Sequence, residues 1–384
     1  MKLSDVCFEM HQGINTVADK VKYYECGTPI LQSKNITNGI LDLEDVRFVD
    51  ENDYNKYKER YIPHKGNILL SNIGTIGKSL LIDEEKDFLI AWNIFLIKVN
   101  ESKINSKFLN FYFQYLDMSN YYNKYLTGGT VKFINKKTME NIEIPNISLV
   151  NQIKIADELE KVQKMINIRE KQIKKLDELI KSQFVEMFEN EKNEEILNNV
   201  CRFINGDRGK NYPSAGEFVE SGIPFINAGL INDKKVNWEK MNYITEEKYN
   251  KLGSGKIQKD DVLYCLRGSL GKHCIIDLER KGAIASSLVI LRANKEKILP
   301  EYLLNILDTD EIIRQQEQAN NGSSQPNLSA GSVKKYKIKL PNIQRQEEFV
   351  NIVKQIDKQK FEIQKSLEEM QKLQESLMNK YFGG

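Results

Sequence analysis

The chain is short of the residues that hold metals or staple a fold. Its 384 residues include five cysteines and three histidines. Cys7, Cys26, Cys201, Cys265 and Cys274 contain no C-x-x-C pair, so neither a zinc site nor a disulfide framework is expected. The thiols read as reduced and mostly buried. His11, His64 and His273 are expected to lack acid or metal partners. No Pro-Pro occurs and no proline precedes Asp. That removes the [N/D]-P-P-[Y/F] element with which common adenine methyltransferases hold a flipped base. It also removes the simplest P-D…(D/E)-x-K nuclease. The sequence therefore carries no evident catalytic constellation, metal site or cofactor site of its own.

Two further absences bound the location and the partners. No apolar run approaches the 18 residues a membrane span needs. The start, Met1-Lys2-Leu3-Ser4-Asp5, has no apolar signal core, so a cytoplasmic protein is expected. The net charge is only +2, from 56 basic and 54 acidic residues, so affinity for a polyanion must come from a local basic face. Arginine is scarce in residues 1–148, where only Arg47 and Arg60 occur.

What the chain does have is an internal repeat, the first feature to seek in a sequence of this length. The halves align at an offset of 194 residues, drifting to 195 or 196. Leu3, Val6 and Cys7 match Leu197, Val200 and Cys201, and Pro29-Ile30-Leu31 matches Pro224-Phe225-Ile226. The best block is Gly74-Thr75-Ile76-Gly77-Lys78, matched by Gly268-Ser269-Leu270-Gly271-Lys272. Gly128 matches Gly322, and Ile144-Pro145-Asn146-Ile147 matches Leu340-Pro341-Asn342-Ile343. Gln152, Ser182 and Phe188 match Gln346, Ser376 and Phe382.

Each half ends in a heptad stripe free of Pro and Gly. In the first, Ile155, Leu159, Val162, Ile166, Ile173, Leu176, Ile180 and Met187 form the seam, with Arg169 and Gln183 as polar members. In the second the seam is Phe349, Val353, Ile356, Ile363, Leu367, Met370, Leu377 and Tyr381, with Lys360 and Gln374. About 40 helical residues extend roughly 60 Å, longer than a domain of this size is wide. The fold expected is thus α+β. Two similar mixed α/β domains, 1–148 and 191–342, are joined by long helices over 149–190 and 343–384. Connectivity makes those helices an antiparallel coiled coil related by a pseudo-two-fold axis. Within the domains, short strands are expected at 67–70, 94–99, 261–264 and 288–291, and helical stretches at 106–125 and 300–317.

The glycine-lysine blocks end like a phosphate-binding P-loop, but Asn72 and Leu266 stand where its first glycine is required. Gly74, Thr75, Gly77 and Lys78, with Arg267, Gly268, Ser269, Gly271 and Lys272, read better as turns offering N–H groups and a cation to a DNA phosphate. A purely structural turn remains the alternative. A second polar loop holds Gly128, Gly129, Thr130 and Lys132 in one half and Gly322, Ser323, Ser324 and Gln325 in the other. At matched positions the halves differ: Gln32-Ser33-Lys34 against Asn227-Ala228-Gly229, and Trp92-Asn93 against Ser286-Ser287.

In tandem these features resemble the specificity (S) subunits of type I restriction-modification systems, over the whole chain. The resemblance implies target-recognition domains that each read half of an asymmetric bipartite DNA site, and helices that set the half-site spacing. It implies a non-catalytic subunit without a cofactor of its own. Two methyltransferase subunits carrying S-adenosylmethionine would dock along the helices, and the resemblance allows nuclease-translocase subunits to join. Lys78 and Lys272 are the expected phosphate contacts. The alternatives are a related methylation-only system and a coiled-coil adaptor whose paired domains bind proteins.

Overall fold

Ile68-Leu69-Leu70-Ser71 and Ile94–Val99 are nearly unbroken apolar runs, and in the structure both faces of these strands are covered. A computed structural model describes residues 1–129, 131–209, 211–320 and 327–383. The chain divides into two units, residues 1–171 with 364–384, and residues 172–363.

In the first unit the strands are β1 (Cys7–Gln12), β2 (Thr28–Leu31), β3 (Arg47–Val49), β4 (Ile68–Ser71), β5 (Ser79–Leu81), β6 (Leu89–Ile90) and β7 (Ile94–Val99). They make an antiparallel sheet in the order β1-β7-β4-β5 and a smaller sheet β3-β2-β6, in which β2 and β6 run parallel. Alternation explains the apolar runs. Ile68, Leu70, Phe95 and Ile97 point into a core shared with Phe108 and Leu109, while Leu69, Ile94 and Leu96 point into another with Leu31 and Ile36.

The second unit repeats this plan with β8 (Cys201–Asn205), β9 (Ile223–Ile226), β10 (Asn242–Ile244), β11 (Val262–Cys265), β12 (His273–Ile275), β13 (Ala283–Ile284) and β14 (Leu288–Ala293). The sheet order is β12-β11-β14-β8, and β9 pairs antiparallel with β10 and parallel with β13. Val262, Tyr264, Val289 and Leu291 face one core, and Leu263, Cys265, Leu288 and Ile290 the other.

The expected helical stretches are real but broken. Ser106–Met118 ends before Asn120, whose φ of +56° is left-handed, and a 3-10 turn follows at Tyr121–Tyr125. In the second unit, Pro300–Ile306 and Asp310–Ala319 are separate helices. Thr309 takes extended backbone before a first turn bearing Asp310 and Glu311, which suits the positive end of a new helix.

Two 40-residue helices, Leu149–Phe188 and Ile343–Phe382, contribute to both units. In each unit they pair antiparallel. In the first, Tyr381 meets Glu158 and Gln374 donates to Gln163 at 2.6 Å. In the second, Lys360 meets Asp177 at 2.9 Å and Phe349 packs on Phe184 and Phe188. Ile155, Leu159, Val162, Ile166, Phe349, Val353, Ile356 and Leu367 are buried; Ile173, Leu176, Ile180, Met187, Ile363, Met370, Leu377 and Tyr381 are half-buried. The last aromatic of each helix is a core residue. Phe382 packs on Phe108, Tyr112 and Tyr115 in the first unit, and Phe188 on Tyr302 and Phe349 in the second.

Candidate nucleic-acid interface

The glycine blocks are the hairpin loops that join β4 to β5 and β11 to β12. All four glycines have positive φ: +78° at Gly74, +86° at Gly77, +80° at Gly268 and +74° at Gly271. The second glycine of each block is also sterically confined. A Cβ on Gly77 would lie 2.5 Å from the Tyr122 ring, and one on Gly271 would lie 1.9 Å from Gln316 Oε1. The first glycine is freer, and nothing lies within 4 Å of a Cβ on Gly268. Between them Thr75 and Ser269 stand exposed at the tips.

The second polar loop is zipped to the first. In the first unit Ile73 and Thr127 both bridge to Phe133, and the Ile134 amide donates to the Asn72 carbonyl at 3.0 Å. In the second, Arg267 bridges to Asn327 and the Leu328 amide donates to the Leu266 carbonyl at 2.9 Å. Gly128 has φ +97°, and its carbonyl accepts from Lys132 Nζ at 3.1 Å, so this loop closes on itself. Gly129 faces open space. Thr130, Gly322, Ser323, Ser324 and Gln325 lie outside the described residues.

The positions at which the halves differ gather round the same turn. In the first unit Asn72 donates its amide to Asn93 O at 3.2 Å, and Asn93 Nδ2 donates to Ser33 Oγ at 3.1 Å. Gln12 donates to the carbonyl of Trp92, whose ring is exposed. In the second unit the Leu266 amide donates to Ser287 O at 2.8 Å.

The two block lysines differ. Lys78 Nζ donates to Asp117 at 2.7 Å, so the cation expected to be free for a phosphate is already neutralised. Lys272 has no ion pair or side-chain hydrogen bond among the described residues, and its ammonium is the available one. The expectation that the histidines lack acid partners is corrected. His64 lies 3.0 Å from Glu85, His273 3.6 Å from Asp308 and His11 3.8 Å from Glu9. These acids lie far along the sequence or two residues away on a bulged strand, which local pattern does not reveal. His273 Nδ1 donates to the Gly271 carbonyl at 2.7 Å, and burial holds the imidazole below its ordinary pKa despite Asp308. No group of His, Cys, Asp and Glu able to hold a metal occurs among the described residues. All five cysteines are free, with Cys201, Cys265 and Cys274 buried, Cys7 half-buried and Cys26 exposed.

Residues not singled out in the sequence complete the site. Beside Arg267 lies a polar cleft of about 540 Å³ whose walls include Arg208, Asn327 and Ser329. Asp207 shapes its wall by accepting from the amides of Arg208 (2.6 Å) and Gly253 (2.7 Å). Arg208 was detectable only as the counterpart of Asn15 once the strands were aligned. Gln152 and Gln346, visible as a repeat match, anchor each long helix to its domain. Gln152 Oε1 accepts from the Asn105 amide at 2.9 Å, and Gln346 Oε1 from the Leu299 amide at 2.8 Å.

Comparison with known proteins adds to this geometry. The family described as Type I restriction modification DNA specificity domain matches residues 1–178 and again residues 190–373. The chain is 23% identical over 337 residues to the type I restriction enzyme MjaVIII specificity subunit of Methanocaldococcus jannaschii, covering 82% of this chain and 75% of that one. It is 22% identical over 331 residues to the EcoBI specificity subunit of Escherichia coli, covering 77% and 69%. In fold it is similar to the S subunit of a type I restriction-modification system from M. genitalium, with a TM-score of 0.52, 17% identity, and 99% and 94% of the two chains covered.

Proposed function

Since the chain belongs to the type I restriction modification DNA specificity family, we propose that it is the DNA-reading subunit of a modification complex, each unit reading one half of an asymmetric bipartite target. The observation that supports this most is the repeated loop constellation. Both units zip a glycine hairpin to a second loop at matched positions, Ile73 with Phe133 and Arg267 with Asn327, while the side chains presented there differ. Equal scaffolds with unequal side chains suit an asymmetric site.

The paired 40-residue helices are the spacer in this reading. Roughly 60 Å of helix is ample for half-sites one duplex turn apart. Methyltransferase subunits carrying S-adenosylmethionine dock on them and do the chemistry, and nuclease-translocase subunits can join. The chain by itself transfers no methyl group.

The test is to co-express the chain with its methyltransferase partner and map modified adenines across the host genome. A bipartite motif with a fixed gap is expected. No new methylation, or a single continuous motif, would overturn the reading. Cleavage of unmodified DNA by the full assembly separates a restriction system from a methylation-only one.

A further inference from the structure

We infer that Arg267 reads a guanine in the half-site of the second unit, rather than holding a phosphate. The inference rests on the DNA-reading function proposed above and names one contact within it.

Both units have to hold the same polyanion, so a phosphate cradle needs polar or cationic groups in both. The position of Arg267 does not meet that condition. Its counterpart in the first unit is Ile73, and the residue bridged to each is Asn327 in one unit and Phe133 in the other. The side chains of an isoleucine and a phenylalanine offer nothing to a phosphate, but they can meet the apolar edge of a base. A charge that one copy of the scaffold lacks belongs to what the copies read differently.

The chemistry and placement of Arg267 suit a base edge. It is exposed at a hairpin tip beside Gly268, where a Cβ would meet nothing within 4 Å. Its backbone is nevertheless pinned, since the Arg267 carbonyl accepts from Cys265 Sγ at 3.0 Å and the adjacent Leu266 pairs with Leu328. The guanidinium has no ion pair or aromatic partner among the described residues, and neither does that of Arg208 in the same cleft. Arg47 and Arg60 of the first unit contrast with this, because Arg47 lies over the Tyr23 ring at 4.5 Å and Arg60 over Tyr61 at 5.5 Å. A free, pre-positioned guanidinium is the group that donates two parallel hydrogen bonds to guanine O6 and N7. Asn327 lines the same cleft, and its side-chain amide both donates and accepts, as the edge of a base pair does.

The experiment maps methylation by the full complex carrying wild-type chain, Arg267→Ile or Arg267→Lys. Wild type is expected to give a bipartite motif; if it gives none, the proposed function fails before the inference is reached. With a motif in hand, Arg267→Ile should relax one G·C position in one half and leave the other half unchanged. Arg267→Lys should relax the same position in part, because an ammonium cannot form the fork. A motif unchanged in both variants overturns the inference. So does an even loss of methylation over all wild-type sites, restored by lysine, which is the signature of a phosphate contact. Where Arg267→Ile abolishes methylation, competition binding of the purified complex to duplexes substituted one base pair at a time decides. Discrimination at a single G·C pair should fall roughly 5- to 150-fold, the worth of one bidentate contact. An equal fall at every position would again refute base reading.

Discussion

At the scale of the residue, the repeated glycines are explained by backbone chirality and by what stands next to them. Left-handed backbone costs a residue with a Cβ about 1–2 kcal/mol. Gly268→Ala should cost about that and no more, because its Cβ would meet nothing within 4 Å. Gly271→Ala should cost more. Its Cβ would displace Gln316, whose Oε1 accepts from the Tyr264 hydroxyl at 2.9 Å, adding about 1 kcal/mol for the lost hydrogen bond. Denaturant unfolding of the two variants ranks them, and equal losses would refute the steric account. His273 supplies a pH dependence on the same turn. Burial favours its neutral form, so the folded protein binds fewer protons than the unfolded chain where an ordinary histidine titrates, near pH 6.5. This contribution is fully present above that pH and is lost as the pH falls below it. The unfolding free energy of the wild type should therefore drop between about pH 7 and 5, and His273→Gln should flatten the slope; an unaltered slope would show that other groups dominate.

At the scale of the element, the buried glutamines carry the join between helix and domain. Gln346 Nε2 donates to the carbonyls of Lys297 (2.9 Å) and Pro341 (2.8 Å), and Gln152 Nε2 to that of Ile147 (2.7 Å). Replacing either with Ala strands backbone groups, at about 1–3 kcal/mol each. Gln346→Ala, which strands more of them, should lower the melting temperature further than Gln152→Ala; the reverse order would contradict the hydrogen-bond assignment. The same scale explains where the repeat offset changes. Cys7 pairs with Val99 but Glu9 pairs with Lys98, so Phe8 is an extra residue bulged from β1 and left exposed. In β8, Cys201 and Arg202 pair with Ala293 and Arg292 without a bulge, so beyond it Gly13 answers to Gly206 and Asn15 to Arg208. An alignment by identity has no reason to place that one-residue step.

At the scale of the whole molecule, electrostatics is local. With a net charge of +2, binding depends on cations left unpaired, and Lys272 is one while Lys78 is not. DNA affinity of the full complex should fall steeply with salt, and Lys272→Ala should reduce the slope of log K against log[salt] by about one. Lys78→Ala should change it less, because an ammonium held by Asp117 displaces no counterion from a phosphate; equal effects would show that the Lys78–Asp117 pair opens on DNA.

The sequence by itself determined the duplication, the heptad helices, the short apolar strands and the glycine positions. Each of these is written in a local period or in the backbone freedom of a single residue, and needs no knowledge of distant neighbours. Only the tertiary structure decided that the two polar loops of each unit zip together, and that Lys78 meets an aspartate 39 residues away. It also broke the expected helices, put Arg208 beside Arg267 in one cleft, and made Phe188 and Phe382 core residues. Those outcomes depend on which surfaces meet when the chain closes on itself, and spacing along the chain does not encode them.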